Sequence, residues 1–494
     1  MCIQNKLKIF RYNTSLLQWI FQFALVLTVI PSCKKFIEID PPVTSTNAEI
    51  IYEDNNSAIS ALTGIYANMS GYNSIFSGNI GMSLLCGLSA DEFTLYDGVS
   101  DQKYWAYYTN TLVSTANQNY GSEAWTTLYN FVYTCNSAID GLANAQKLTP
   151  IVKSQLLGEA RFMRAFFYFY LTSLYGNVPL ALSTDPFINA QLPRSGVSNV
   201  YEQIESDLTA ATGLLSDHYI DATLEKNSSE RVRPTKWAAL TLLARFYLYT
   251  GQYEKANTAA TSVINEQGLF NLPPLNETFL ANSSEAIWQL QPVRLGRNTE
   301  DAFTFIIPST GPSDVTSPGA GNPAWLSEKL LNSFEATDQR LTNWVSHVTV
   351  DGSTYFFPFK YKSATLDDPV TEYLMVFRLA ELYLIRAEAL AQLNDMDGAQ
   401  SDLNMIRNRA GLPGAAATGK DELLTKISQE RQVELFTEWG HRWFDLKRTQ
   451  TINTIMPPIT SIKGGQWQST DQLYPLPYGD IQKNPKLIQN DGYN

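Results

Sequence analysis

Histidine is nearly absent from this sequence: His218, His347 and His441 are the only three in 494 residues. They stand far apart, and none lies beside a serine, cysteine or carboxylate arrangement that would activate a nucleophile. Gly-rich loops that cradle phosphate are missing as well. Cysteine is almost as scarce. Beyond residue 32 it occurs at Cys33, Cys86 and Cys135, so at most one internal disulfide can form and no spacing suits a metal ion. No metal and no cofactor is expected. Positive charge is in deficit, with 36 Lys and Arg against 48 Asp and Glu and a net charge of −12. Such a surface argues against nucleic acid and polyanion partners.

A long apolar run is also lacking, apart from one near the start. Lys6, Lys8 and Arg11 precede Leu16 to Ile30, a run too short, and too polar at Gln18 and Gln22, to span a membrane. The first 32 residues read instead as a secretory leader. Ser32 before Cys33 resembles the lipobox of bacterial lipoproteins, which makes Cys33 the expected lipid anchor and sole membrane attachment. Removing residues 1–32 takes away three positive charges and no negative one, so −12 becomes −15. Residues 33–56, with Pro41 and Pro42, read as a tether.

What is abundant is apolar and aromatic: 44% apolar residues, with 26 Tyr, 24 Phe and 10 Trp. From Val152 to Tyr175, Leu156, Ala160, Met163, Phe167, Tyr170 and Leu174 recur at three- and four-residue steps, which predicts a helix stopped by Gly176. Val200 to Leu215 is a second amphipathic segment. Ala244, Gly251, Tyr253 and Ala256 stand at tetratricopeptide-like spacing, and Ala387 and Ala399 repeat the twelve-residue step. Residues 271–325 are rich in Pro, Gly, Asn and Ser and longer than connections inside a bare repeat array usually are. Ile287 to Gln291 alternates like a buried strand, which predicts packing for Trp288, and packing is also the expectation for Phe303, Trp325 and Trp344. Ile481 can open a short helical turn after Asp480.

Two clusters invite a chemical reading. Glu430, Glu434 and Glu438, with Arg431, Arg442, Asp445 and Arg448 nearby, could suggest paired glycosidase carboxylates. Carboxylates one helical turn apart and alternating with arginine are better explained as ion pairs, and the same holds for Glu159, Arg161 and Arg164 and for Arg378, Glu381, Arg386 and Glu388. The other cluster is Tyr96, Tyr104, Trp105, Tyr107 and Tyr108, in a polar segment that also holds Asp91, Glu92, Asp97 and Asp101. A pyranose has an apolar C–H face that lies on an aromatic ring and a hydroxyl rim that needs acceptors. Core packing and sugar contact both remain open for this cluster. Tyr104 and Trp105 are the leading stacking candidates, with Tyr96, Tyr107 and Asp101 beside them.

Five stretches together resemble the SusD/RagB family of outer-membrane nutrient-uptake lipoproteins. They are the Cys33 lipobox with its tether; GEARFMRAFFYFYLTSLYGNVPL from Gly158; FRLAELYLIRAEALAQLND from Phe377 with DLNMIRNRAGL from Asp402; ERQVELFTEWGHRWFDLKR from Glu430; and LYPLPYGDIQKNPKLIQNDGY from Leu473. The resemblance implies an all-α fold of tetratricopeptide-like repeats carrying an irregular, loop-rich ligand-binding subdomain. It implies a helical region over residues 57–230 and a second region over 231–494 that carries the 271–325 insertion. It further implies surface capture of a glycan or similar nutrient, no catalysis, and a TonB-dependent SusC-like transporter as partner. Two other readings are a secreted glycoside hydrolase, using a carboxylate such as Asp91 with a distant partner, and a repeat scaffold that binds only proteins.

Overall fold

In the computed structural model, residues 51–316 and 321–493 are described. The predicted leader, Cys33 and the tether up to residue 50 lie outside the described residues. The first helix, α1 (Asn55–Ser70), opens where the Asp54 side chain accepts the Ser57 amide. An Asp at this position satisfies one of the amides that a helix start leaves unpaired.

The long helices form the frame. They are α1, α2 (Glu123–Asn144), α3 (Pro150–Tyr175), α4 (Val197–Leu214), α5 (Lys236–Tyr249), α6 (Tyr253–Ile264), α7 (Leu379–Gln392), α8 (Met396–Arg409) and α9 (Lys420–Glu434). From α2 to α8 each packs on the next in chain order, and α9 closes on α7 and α8. This is the stacked arrangement of a helical repeat protein. In the α5–α6 and α7–α8 hairpins, Ala244, Ala256, Ala387 and Ala399 are fully buried, and their small side chains let the paired axes approach closely. Gly251 and Asn394 turn these hairpins with φ of +71° and +66°. Both residue types tolerate that left-handed conformation better than most.

The periodicity of α3 predicted one apolar stripe, and Leu156, Ala160, Met163, Phe167, Tyr170 and Leu174 are all buried. The opposite face is buried too, from Phe162 through Leu171, because α2 and α4 flank this helix. Strands are few among the described residues: four antiparallel pairs of two strands each. The expected strand at Trp288 is Ala286–Leu290, paired with Leu374–Arg378. Trp288 is wholly buried there, with its ring edge-on to those of Tyr66, Phe162 and Phe166. One apolar core reaches from Tyr52 to Leu476, and a smaller cluster fills the space between α7, α8 and α9. Cys86 and Cys135 are both buried and unpaired, so the one disulfide the sequence allowed is not formed.

The charged helices carry ion pairs, though with distant partners more than with the neighbours that the sequence suggested. Arg378 reaches Glu285 at 2.9 Å, Glu434 at 2.5 Å and Glu438 at 2.8 Å. Arg340 holds Asp338, Glu430 and Glu434 at 2.7–2.8 Å, and Lys360 holds Glu438 at 2.5 Å. Arg409 bridges Glu285 and Glu434. Glu159 pairs with Arg233, Glu381 with Arg245, Arg386 with Asp402, and Arg161 and Arg164 both with Asp207. Charges this deep are stable only when paired and hydrogen-bonded, so these groups belong to the scaffold.

Candidate functional site

The segment Asp91 to Tyr108 lies partly in the core and partly at the surface. Asp91 is buried and accepts both arms of Arg442 at 2.7 Å, which leaves it no free oxygen for the catalytic role considered above. Glu92 is buried as well and accepts the Thr437 amide. The short strand Phe93–Leu95 then pairs antiparallel with Ala324–Leu326 from the end of the insertion. Phe93, Leu95, Ala324 and Leu326 face inward, which leaves Thr94 and Trp325 opposed on the outer face. Two hydrogen bonds extend this contact, from the Tyr96 amide to the Pro323 carbonyl and from the Ser327 amide to the Glu92 carbonyl.

After the strand, Asp101 caps the helix Gln102–Tyr108 by accepting the Lys103 amide. The 3.6-residue period then divides the four aromatic residues of that helix. Tyr104 and Tyr107 turn inward and are only 2% exposed. Their hydroxyls are already engaged, Tyr104 donating to the Asn79 carbonyl and Tyr107 to Glu123. The expectation that these two rings offer stacking faces is therefore corrected: both are core side chains with satisfied phenols. Burial holds both phenols above their ordinary value.

Trp105 and Tyr108 are half-buried on the outer side, their rings edge to face at 6.1 Å. The Trp105 indole N–H donates to the Val99 carbonyl at 2.9 Å, which fixes its ring. Tyr108 lies against Thr94, the residue directly opposite Trp325. Trp325 in turn meets Tyr355 of the hairpin Val345–Val350/Ser353–Pro358, their centroids 4.9 Å apart and their planes at 75°. Tyr96 is half-buried beside this group, packed over the backbone at Gly98, where a Cβ would collide with its ring. Five half-buried rings thus converge from three parts of the chain: Tyr96, Trp105, Tyr108, Trp325 and Tyr355.

Oxygen acceptors border the rings. Asp97 is exposed, and Asp101 keeps 39% of its side chain in solvent. Asp314, from the insertion, accepts the Ser100 hydroxyl at 2.6 Å and its amide at 3.3 Å. These bonds, the hydroxyl foremost, hold the Asp314 carboxyl below its usual range. Grooves of about 690 and 700 Å³ lie elsewhere, lined by mixed polar and apolar residues, mostly of helices and loops. Rings for sugar faces and acceptors for hydroxyls are therefore both present. Among the described residues no group of His, Cys, Asp and Glu could hold a metal ion.

Of the residues that the sequence singles out, Tyr96, Trp105 and Asp101 lie at this surface, where the structure adds Trp325, Tyr355 and Asp314. The sequence predicts packing for Trp325, and the structure packs its half-buried ring on Tyr355 while its pairing with Thr94 brings it to the other rings. No local signal marks the Trp325 ring as outward, because Ala324, Trp325 and Leu326 are all apolar and their alternating burial is visible only in the structure.

Two family models match the chain, one described as "SusD family" over residues 353–493 and one as "Starch-binding associating with outer membrane" over residues 51–248. The chain belongs to the SusD/RagB family. The SusD-like protein P2 of Formosa agariphila is 27% identical over 95% of this chain and 99% of its own length. A SusD superfamily protein from Parabacteroides distasonis shares the fold with a TM-score of 0.73 at 22% identity, covering 88% of this chain and 99% of that one. A laminarin-binding SusD-like protein gives a TM-score of 0.70 at 23% identity, covering 90% and 100%. The all-α repeat frame is thus the SusD fold, and the ring surface lies where strand Phe93–Leu95 of its first half meets the insertion.

Proposed function

We propose that this SusD-family protein captures glycan at the bacterial outer-membrane surface, anchored through lipid on Cys33. It performs no chemistry on the ligand and passes it to a TonB-dependent SusC-like transporter. The observation that carries the binding role is the convergence of the Trp105–Tyr108 and Trp325–Tyr355 ring pairs across the Thr94–Trp325 strand contact. A related fold that binds laminarin and a family model that names starch binding at the outer membrane support the same reading. The absence of catalysis is supported by the commitment of the buried carboxylates to arginine and lysine. No helix of the described residues is long and apolar enough to cross a membrane, which fits a division of labour with a barrel partner.

Trp325→Ala and Trp105→Ala test the site. Each is expected to weaken glycan binding by about 1–3 kcal/mol, the range for ring-stacking contacts. Calorimetric titration of folded protein with the best glycan from a panel measures this, and unchanged affinity in both variants would discard the surface. For Cys33→Ser, the expected outcome is release from the membrane fraction into the soluble fraction. Retention of that variant with the outer membrane would remove the lipid anchor from the proposal.

A further inference from the structure

The charges around the rings carry information about which glycans fit. Asp97, Asp101 and Asp314 contribute three carboxylates, and Asp97 stands close enough to Tyr108 to raise its phenol, behind the larger effect of burial. Among the described residues, three bases near the rings are engaged. Lys103 lies 3.5 Å from Asp101 and over the Tyr104 ring. Lys463 reaches the Tyr108 ring, but its ammonium donates to the Leu88 and Ala90 carbonyls inside the fold. Arg294 stacks on Tyr72 and pairs with Glu300 at 3.0 Å.

We infer that the Trp105–Tyr108–Trp325–Tyr355 surface takes uncharged glycans and discriminates against uronate- and sulfate-bearing ones through Asp97, Asp101 and Asp314. This rests on the glycan-capture reading and adds its substrate class. A neutral hydroxyl rim gains an acceptor in the exposed Asp97 carboxylate and in the remaining lone pairs of Asp101 and of Asp314, which also accepts the Thr316 hydroxyl. A sugar carboxylate or sulfate on the same rings sits within a Debye length of about 8–10 Å of like charge, while Lys103, Lys463 and Arg294 are committed to other partners. Repulsion of this kind separates ligands that the apolar ring faces alone would accept equally.

The test titrates the full chain by calorimetry, without divalent cations, against neutral probes (laminarin, maltoheptaose, galactomannan, xylohexaose) and acidic ones (alginate, polygalacturonate, chondroitin sulfate). The expected result is that the tightest probe is neutral, loses at least about fivefold in affinity in Trp325→Ala, and changes less than about twofold between low and physiological salt. Acidic probes bind at least about tenfold more weakly at low salt, and Asp97→Lys narrows that gap about fivefold. An acidic probe that binds more tightly than every neutral one, and is lost in Trp325→Ala, overturns the inference while leaving glycan capture standing. Binding that neither Trp325→Ala nor Trp105→Ala affects overturns the site itself. If no probe binds, glycan capture fails and the inference fails with it.

Discussion

Replacing Arg378 by alanine is expected to cost about 3–5 kcal/mol of folding stability, the range for removing one partner of a buried ion pair. The guanidinium joins Glu285, Glu434 and Glu438, none more than 9% exposed in its side chain, so its loss strands negative charge in the interior. In the native protein burial pushes Glu434 and Glu438 upward. Arg409, Arg378 and Arg340 around Glu434, and Arg378 and Lys360 around Glu438, outweigh burial and hold both carboxyls below their ordinary value. A carboxyl depressed by folding contributes stability above its unfolded value of about 4.5 and loses that contribution as the pH falls further. In Arg378→Ala burial regains ground and the carboxyls rise, so the deficit should be larger at neutral pH than in mild acid. Urea denaturation of both proteins near pH 7 and pH 4.5 measures the difference. A variant within about 1 kcal/mol of the native protein at both pH values would show that the pairs are energetically idle.

The second large effect is expected at Trp288. Its ring is fully buried against Tyr66, Phe162, Phe166 and Phe377, and its indole N–H donates to the Val232 carbonyl. Trp288→Ala should cost about 3–5 kcal/mol through lost burial and the cavity left behind. Trp325→Ala, with its ring half-exposed, should cost far less stability while losing glycan. Thermal unfolding of the two variants side by side separates a tryptophan of the core from one of the surface. Equal losses of melting temperature would contradict the burial described for them.

The frame was readable from the sequence because its causes are local. The stripe from Leu156 to Leu174 follows from helical period, and the hairpins at Gly251 and Asn394 follow from small residues around a left-handed turn. The candidate site was readable only in part, because whether an aromatic ring faces outward is decided by what packs on its other side. Tyr104 and Trp105 are adjacent and similar in character, yet one lies over Asn79 inside the fold and the other faces out. Trp325 and Asp314 reach the same surface through pairing with residues more than two hundred positions earlier, and no window of sequence contains that contact. The ion pairs were assigned correctly to the scaffold, but Arg340 and Glu285, which complete the network, lie outside the helices that suggested it.

The hydrogen bond from the Ser327 hydroxyl to the Asp91 carbonyl joins residues 236 positions apart. Contacts of such separation close slowly, because chain entropy must be spent before they return any stability. The helical hairpins, closed by local contacts, can form early, whereas the strand contact that unites the ring pairs must wait until residues on both sides of it are in place. A partly folded chain in transit therefore holds two separate aromatic patches, and only the finished molecule presents them as one surface.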